Sequence, residues 1–316
     1  MKHVVQFSGG KDSTCMLLMM LEKGMPVDEI IFCDTGMEYP QMYEHIDKVE
    51  QYIGRKVTRL KAEHEYEWYM FHKPLLRGKN KGQHGEGWPM MKNRWCTRAL
   101  KITPTQNYLK QYGGDIVTYI GIASDEPKRH FESNTIKHPL FEWGISEKKA
   151  LSYCKEHGFT WGGLYDKLRR VSCWCCPLQS VSSLRILYHD FPDLWKRLKK
   201  MDEYNIAHPK DGYERGNAFH INYSVQDLED RFKREDNGKR IAISLWENHE
   251  KVIDSDYYGN ADNDGNIAFA FTNHGNEPLQ VNVGDKIGQG IFLPFLLTDD
   301  DKADVERVGG MGSTGE

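Results

Sequence analysis

The 316 residues exceed one average domain and suffice for two, and 39% apolar with 28% charged residues is the mix of a globular chain. No apolar run reaches the length of a membrane span, and Met1-Lys2-His3 leads straight into a short apolar run rather than a signal peptide, so a cytoplasmic protein with no membrane partner is expected. The net charge of −4 hides a split, because residues 241–316 carry 14 acidic and 4 basic side chains and residues 1–240 carry 32 and 38, a basic first module that fits an anionic partner or, equally, a solvated surface.

Val4-Val5-Gln6-Phe7 reads as a strand, and Ser13 to Lys23 as a helix ended by Gly24 and Pro26. Glu29 to Cys33 is a second strand, Tyr39 to Ile53 a second helix closed by Gly54, and Lys56 to Leu60 a third strand. Lys73 to Asn93 is rich in Gly, Lys and His without periodicity, and is expected to be a mobile loop, placed as a lid would be. A helix from Thr103 to Gln111 precedes a fourth strand, Ile116 to Ile122, and Ser146–His157 and Ser180–Tyr204 read as further helices. Strands alternating with helices imply βαβ units and a parallel sheet, with ligands held beyond the carboxyl ends of the strands. A charged linker around Arg231–Arg240 ends this pattern. Beyond it, Ile241–Trp246, Asn266–Thr272, Leu279–Val283 and Ile287–Leu296 are short β-like runs between Gly, Asn and Asp turns. Two domains follow: an α/β nucleotide-binding domain over 1–235 and a small all-β segment over 241–316.

The first strand runs into Ser8-Gly9-Gly10-Lys11-Asp12-Ser13 and then a helix. Gly9 and Gly10 let backbone approach an anion closely, and the helix start offers free N–H groups at a positive dipole end. Ser8 and Ser13 add hydroxyls and Lys11 adds charge, whereas an ordinary strand-to-helix turn has no packing use for Gly-Gly-Lys. Asp34-Thr35-Gly36 closes the second strand at the same sheet edge. Its carboxylate suits Mg²⁺ or a ribose, and Asp with Gly at a strand end equally makes a turn.

These segments follow one another in a known order: Ser8 to Ser13, then Asp34-Thr-Gly-Met-Glu-Tyr-Pro, then Arg94-Trp-Cys-Thr-Arg98 with Leu100-Lys101, then Gly121-Ile-Ala-Ser-Asp125-Glu126-Pro-Lys-Arg129. Over roughly residues 3–200 the chain resembles the phosphoadenosine phosphosulfate reductase family, within the PP-loop ATP pyrophosphatases. The resemblance implies a Rossmann-like adenine nucleotide α-hydrolase fold. It implies that Ser8 to Ser13 bind phosphate, with Lys11 and Asp12 as catalytic residues, and that Asp34, Thr35, Gly36, Asp125, Glu126 and Arg129 line the nucleotide site. The Glu-Cys-Gly motif with a following His, which carries the catalytic cysteine of the reductases, is not found in these residues. The better analogy is to members that split ATP, or a related adenine nucleotide, between the α- and β-phosphates to adenylate or thiolate a substrate. There Lys11 and Mg²⁺ stabilise the leaving pyrophosphate, and a nucleic acid or a sulfur carrier is a candidate acceptor.

Seven cysteines, all before residue 240, point away from a disulfide framework and toward metal, cluster or redox chemistry. Cys173-Trp-Cys-Cys176 has C-x-x-C spacing with an extra thiol inside, and Cys96 sits in the Arg-Trp-Cys-Thr motif. Cys96, Cys173 and Cys176 are candidate ligands for Zn²⁺ or a [4Fe–4S] cluster, and the residues leave those two open. Cys154 and Cys175 read as small buried hydrophobes. From Gly162-Gly-Leu-Tyr through Cys-Trp-Cys-Cys-Pro-Leu the chain resembles reductase-like proteins of phages and bacteria.

The acidic tail has its own pattern: Val252-Ile-Asp254-Ser-Asp-Tyr257-Tyr-Gly259, then Gly284-Asp-Lys-Ile-Gly-Gln289, then Arg307-Val-Gly-Gly-Met-Gly-Ser313-Thr314-Gly315. It looks like the third, fourth and fifth motifs of trimeric dUTPases, a partial jelly roll. That resemblance implies that Asp254 activates water, Tyr257 packs under the deoxyribose, Gln289 belongs to the fourth motif, and Ser313 and Thr314 close over the γ-phosphate. It also implies a homo-oligomer, a trimer through the tail. The family's first two motifs are not found upstream, and Met311 stands where its aromatic stacks on uracil.

Overall fold

The computed structural model describes residues 1–78, 80–209, 219–220 and 223–236. Five strands pair into one parallel sheet: β1 (Lys2–Gln6), β2 (Glu29–Asp34), β3 (Thr58–Lys61), β4 (Ile116–Ile120) and β5 (Ile136–Lys137). Their spatial order is β3-β2-β1-β4-β5, with Val5 opposite Ile30 on one side and Tyr119 on the other. Val4, Val5, Ile30, Ile31 and Phe32 are buried, the continuous apolar texture of a sheet covered on both faces. The chain winds outward from β1 to β3 and then returns to β4 on the other side of β1, so the strand order reverses between β1 and β4. Ligand crevices of open α/β sheets form at that reversal, outside the carboxyl ends of the strands.

Helices fill the crossovers. The chain forms α1 (Lys11–Glu22), α2 (Pro40–Ile53), α3 (Tyr66–Phe71), α4 (Trp95–Thr97), α5 (Thr103–Leu109), α6 (Pro139–Glu142), α7 (Glu147–Glu156), α8 (Leu164–Lys167), α9 (Val181–Asp190), α10 (Pro192–Ala207) and α11 (Val225–Asp236). α1 buries Cys15, Met16, Leu17, Leu18 and Met20, and packs against α7. α2 closes on Gly54 at φ 64°, the left-handed terminus its sequence calls for. Between α4 and α5 the helix widens into a π turn, Arg98–Ile102. Pro104, next in the chain, lacks the N–H that Leu100 would otherwise accept.

Two expectations are corrected. The single helix expected over Ser180–Tyr204 is two, because Pro192 cannot donate and pushes Phe191 out of the helical region, to φ −134° and ψ 61°. The segment Lys73–Asn93 is pinned rather than free. Trp88 is buried and donates its indole N–H to Asp202 at 2.8 Å, Lys73 pairs with Glu86 at 2.6 Å, and the Gly85 N–H donates to the Lys73 carbonyl at 2.8 Å. Lys79 lies outside the described residues. So do residues 241–316, with the β-like runs expected there; the residues described up to Glu229 belong to one compact unit, Met1–Glu229. No helix of the described residues is long and apolar enough to cross a membrane.

Candidate nucleotide site

The loop after β1 lies at the strand-order reversal. Gly9 adopts φ 77°, the left-handed region, and a Cβ there would lie 2.6 Å from Met42 Sδ. Gly10 is the residue before the first turn of α1, with extended backbone and no side-chain cap. The amides of Lys11, Asp12 and Ser13 have no carbonyl behind them in the helix; the first helical bond is from the Thr14 N–H to the Gly10 carbonyl at 3.0 Å. Ser13 Oγ donates to the Gly10 carbonyl at 3.0 Å and lies 3.0 Å from Ser8 Oγ, so the two hydroxyls brace the loop. Across the crevice, Gly121 follows β4 and passes the start of α1 so closely that a Cβ would sit 2.9 Å from the Ser13 nitrogen.

Lys11 does not project freely. Its Nζ is 3.0 Å from Asp12 Oδ2 and 3.1 Å from Glu147 Oε2, and its side chain is only 8% exposed. Burial pushes the Asp12 carboxyl up, and the Lys11 ammonium offsets part of that rise. Asp12 Oδ1 is buried with no hydrogen-bond partner. Asp125 accepts the Glu147 N–H at 3.0 and 3.3 Å, and so fixes the start of α7 from which Glu147 reaches Lys11. Glu126 and Arg129 form a two-pronged pair at 2.6 and 2.8 Å. Asp34 ends β2 and accepts from the Gly36 N–H at 2.9 Å and the Tyr43 hydroxyl at 2.8 Å, with Lys61 Nζ 3.6 Å away. The turn-forming use of Asp34 is thus realised, and Thr35 faces Glu38 and Cys173 instead.

A second glycine-rich segment clasps this loop. Trp161 donates its indole N–H to the Gly9 carbonyl at 2.7 Å, and the Tyr165 hydroxyl accepts the Lys11 amide at 3.0 Å. Gly162 and Gly163, at φ 57° and 83°, turn the chain between them. Trp161 in turn stacks on His45, ring centroids 4.3 Å apart, and His45 Nε2 lies 2.9 Å from the Thr14 hydroxyl on α1. Gly162-Gly-Leu-Tyr165 carries no recognised role in its residues alone. The signal was a Gly-Gly pair flanked by aromatics whose N–H and O–H need partners.

The thiols occupy the neighbouring strand end. Cys173 donates to Glu38 Oε1 at 3.4 Å, with Thr35 Oγ1 3.7 Å away, and Lys101 Nζ is 3.8 Å from the same carboxylate oxygen. Burial first, and then the Glu38 carboxylate, push the Cys173 thiol well above its ordinary range, and burial does the same to Cys175 and Cys176. The metal expectation for Cys96, Cys173 and Cys176 finds no support in the described residues, where all three are free thiols. Among the described residues no three His, Cys, Asp or Glu side chains are grouped to hold a metal ion. Cys154 is the buried small residue expected, its Sγ 3.4 Å from the Lys11 carbonyl. Asp254, Tyr257, Gln289, Ser313 and Thr314 lie outside the described residues.

A parallel α/β sheet with a Ser-Gly-Gly-Lys loop at its strand-order reversal places the chain among the open α/β proteins whose ligand crevice lies at that reversal. Residues 2–179 match the phosphoadenosine phosphosulfate reductase domain, and the chain belongs to that family. It is 28% identical over 220 residues to an uncharacterized protein of Methanocaldococcus jannaschii, covering 65% of this chain and 42% of that protein. It is also similar to the crystal structure of phosphoadenylyl-sulfate reductase from Candida auris in a phosphate complex, at 21% identity over 54% of this chain and 81% of that one, with a TM-score of 0.39. The resemblance read in the tail has a counterpart as well. An 86-residue stretch, 27% of this chain, is 38% identical to the deoxyuridine 5'-triphosphate nucleotidohydrolase of Lactococcus lactis, covering 57% of that protein. The chain spans about half the length of the curated relatives it matches.

Proposed function

We propose that the N-terminal module, residues 1–235, binds ATP or a related adenine nucleotide and splits it between the α- and β-phosphates, transferring the adenylyl group to an acceptor as a step toward its adenylation or thiolation. The observation that carries this reading is the loop Ser8–Ser13, with glycine backbone, helix-start amides that have no carbonyl partner in the helix and the Lys11 ammonium at the sheet's ligand edge. The acceptor attacks the α-phosphorus, the bond to the αβ bridging oxygen breaks, and pyrophosphate leaves with the electron pair. Lys11 and the amides of α1 take up the charge that grows on the leaving group. Asp12 Oδ1, a carboxylate oxygen without a protein partner, is the oxygen through which the loop would hold Mg²⁺, and the ion would add further charge there. Asp34, Thr35, Gly36, Asp125, Glu126 and Arg129 would line the nucleoside side, Asp34 by exchanging its Tyr43 contact and Thr35 its Glu38 contact for the ligand. The absence of the reductase Glu-Cys-Gly motif from these residues favours this reaction over sulfonucleotide reduction. Nucleic acid and sulfur carriers are the candidate acceptors.

Pyrophosphate release from ATP by the full chain tests the reading. Lys11→Ala is expected to lower turnover by about 10²-fold, the usual cost of removing one group that stabilises developing charge. Unchanged binding and turnover in that variant would sink it.

A second activity rests on the tail. The 38% identity to the Lactococcus lactis enzyme favours dUTP hydrolysis with Asp254 as general base, Tyr257 against the sugar, Gln289 in the binding wall, and Ser313 with Thr314 over the γ-phosphate, in a trimer that shares the site. Asp254→Asn is expected to lower dUTP hydrolysis by about 10²–10⁴-fold. Equal rates for the wild type and Asp254→Asn would remove this activity.

A further inference from the structure

Two side chains from outside the phosphate loop occupy the donors that a phosphate needs. Glu147, the first residue of α7, places Oε2 3.1 Å from the Lys11 ammonium. Tyr165, in α8, places its hydroxyl oxygen 3.0 Å from the Lys11 amide nitrogen, as an acceptor. A carboxylate oxygen on the ammonium and a phenol oxygen on the helix-start amide are the two contacts that phosphate oxygens make at such a loop. Both groups are held in place. Asp125 binds the Glu147 N–H, Ser146 Oγ caps α7 by accepting from the Lys149 N–H at 3.3 Å, and Trp161 ties the Tyr165 segment to the Gly9 carbonyl. Tyr165 is close enough that a Cβ on Gly10 would lie 3.3 Å from its hydroxyl.

The geometry points to Glu147 and Tyr165 as internal stand-ins for the anion, which the nucleotide phosphates displace on binding. This inference rests on the nucleotide reading of the loop and adds what that reading lacks, a device that sets its affinity. With Glu147 and Tyr165 in place, Lys11 stays buried without leaving its ammonium or its amide unpaired, at the cost of a competitor for each. Displacement of Glu147 also frees the residue whose amide Asp125 holds, so phosphate binding is felt in the Asp125–Arg129 segment on the nucleoside side. Tyr165 and Glu147 are positioning residues, and neither is required to touch the nucleotide once displaced.

The test is calorimetric titration of the full chain, as wild type, Tyr165→Phe and Glu147→Gln, with inorganic pyrophosphate and with ATP, alongside pyrophosphate release. Removing either competitor is expected to tighten binding of both probes by about tenfold, the effect of one hydrogen bond no longer lost on binding. Weaker or unchanged binding in Tyr165→Phe and Glu147→Gln overturns the inference, since a group that grips the bound phosphate would show that result. The two readings fail separately. Tightened binding without any pyrophosphate release leaves the stand-ins in place and removes ATP cleavage. Release at wild-type rates with unchanged affinities does the reverse, and no binding by any of the three proteins overturns both.

Discussion

Replacing Gly121 by valine is expected to destabilise the protein by about 3 kcal/mol or more and to abolish measurable nucleotide binding, with Gly121→Ala falling between, at about 1–3 kcal/mol. The reason is space rather than backbone conformation, because Gly121 is absent from the glycines with positive φ. A Cβ built there would sit 2.9 Å from the Asp12 carbonyl carbon, 2.9 Å from the Ser13 nitrogen and 3.0 Å from the Ser13 Cα. All three atoms are backbone, so no side-chain rotation relieves the overlap. Either the end of β4 or the first turn of α1 must move. α1 has little room, because Cys15, Met16 and Leu17 below that turn have 0% exposure. The first turn is also where the anion-binding amides sit, so a shift that relieves the clash spoils the cradle. Urea denaturation and nucleotide titration of the two variants check this. Wild-type stability and affinity in Gly121→Ala would mean that the crevice is looser than its geometry states.

The contrast between Gly9 and Gly121 bears on what could be read from residues alone. Gly9 was legible because Gly-Gly-Lys between a strand and a helix has a known use, and its left-handed backbone agrees with that use. Gly121 was legible only as part of the Asp125–Arg129 motif. Its reason, a strand end passing a helix start from far along the chain, is a tertiary contact that local periodicity does not encode. The sheet itself was readable because parallel strands buried on both faces are continuous apolar runs, and four of the five were assigned from that texture. The fifth, Ile136–Lys137, has two residues and no pattern to see. Lys11 stands out by its place in the loop, whereas its partner Glu147 lies in a helix whose sequence carries no motif. The cysteine spacing is incomplete for a related reason. C-x-x-C fixes how far apart two thiols are along the chain, and it leaves out that Glu38 and Thr35 at the end of β2 would face Cys173.

His45 gives the loop an acid limit. The imidazole is buried between Phe159 and Trp161, its Nε2 is 2.9 Å from the Thr14 hydroxyl, and its Nδ1 has no partner. Burial, with the Lys48 ammonium nearby, pulls its pKa from 6.5 down to about 3. The folded protein therefore keeps His45 neutral where the unfolded chain takes up a proton. The stability this group contributes is complete above pH 6.5 and is lost as the pH falls toward 3, at up to about 1.4 kcal/mol per pH unit. By pH 4 the loss from this group is about 3 kcal/mol, a large share of an ordinary domain's stability. Other groups titrate over the same range, so the measurement is a difference. Unfolding free energies of the wild type and of His45→Gln, which keeps a hydrogen-bonding group for Thr14 but cannot titrate, are compared from pH 7.5 to 4. The wild type is expected to lose about 3 kcal/mol more than the variant, and parallel pH profiles would show that His45 is not held neutral. Because the folded state keeps His45 neutral down to about pH 3, its stack on Trp161, and through it the Gly9 carbonyl, is unchanged from pH 7.5 to 4, so the nucleotide affinity of the folded protein is expected to match between the wild type and His45→Gln as far as this residue is concerned. The acid limit that His45 sets lies on the folded population that carries the loop, not on the loop's grip on its ligand.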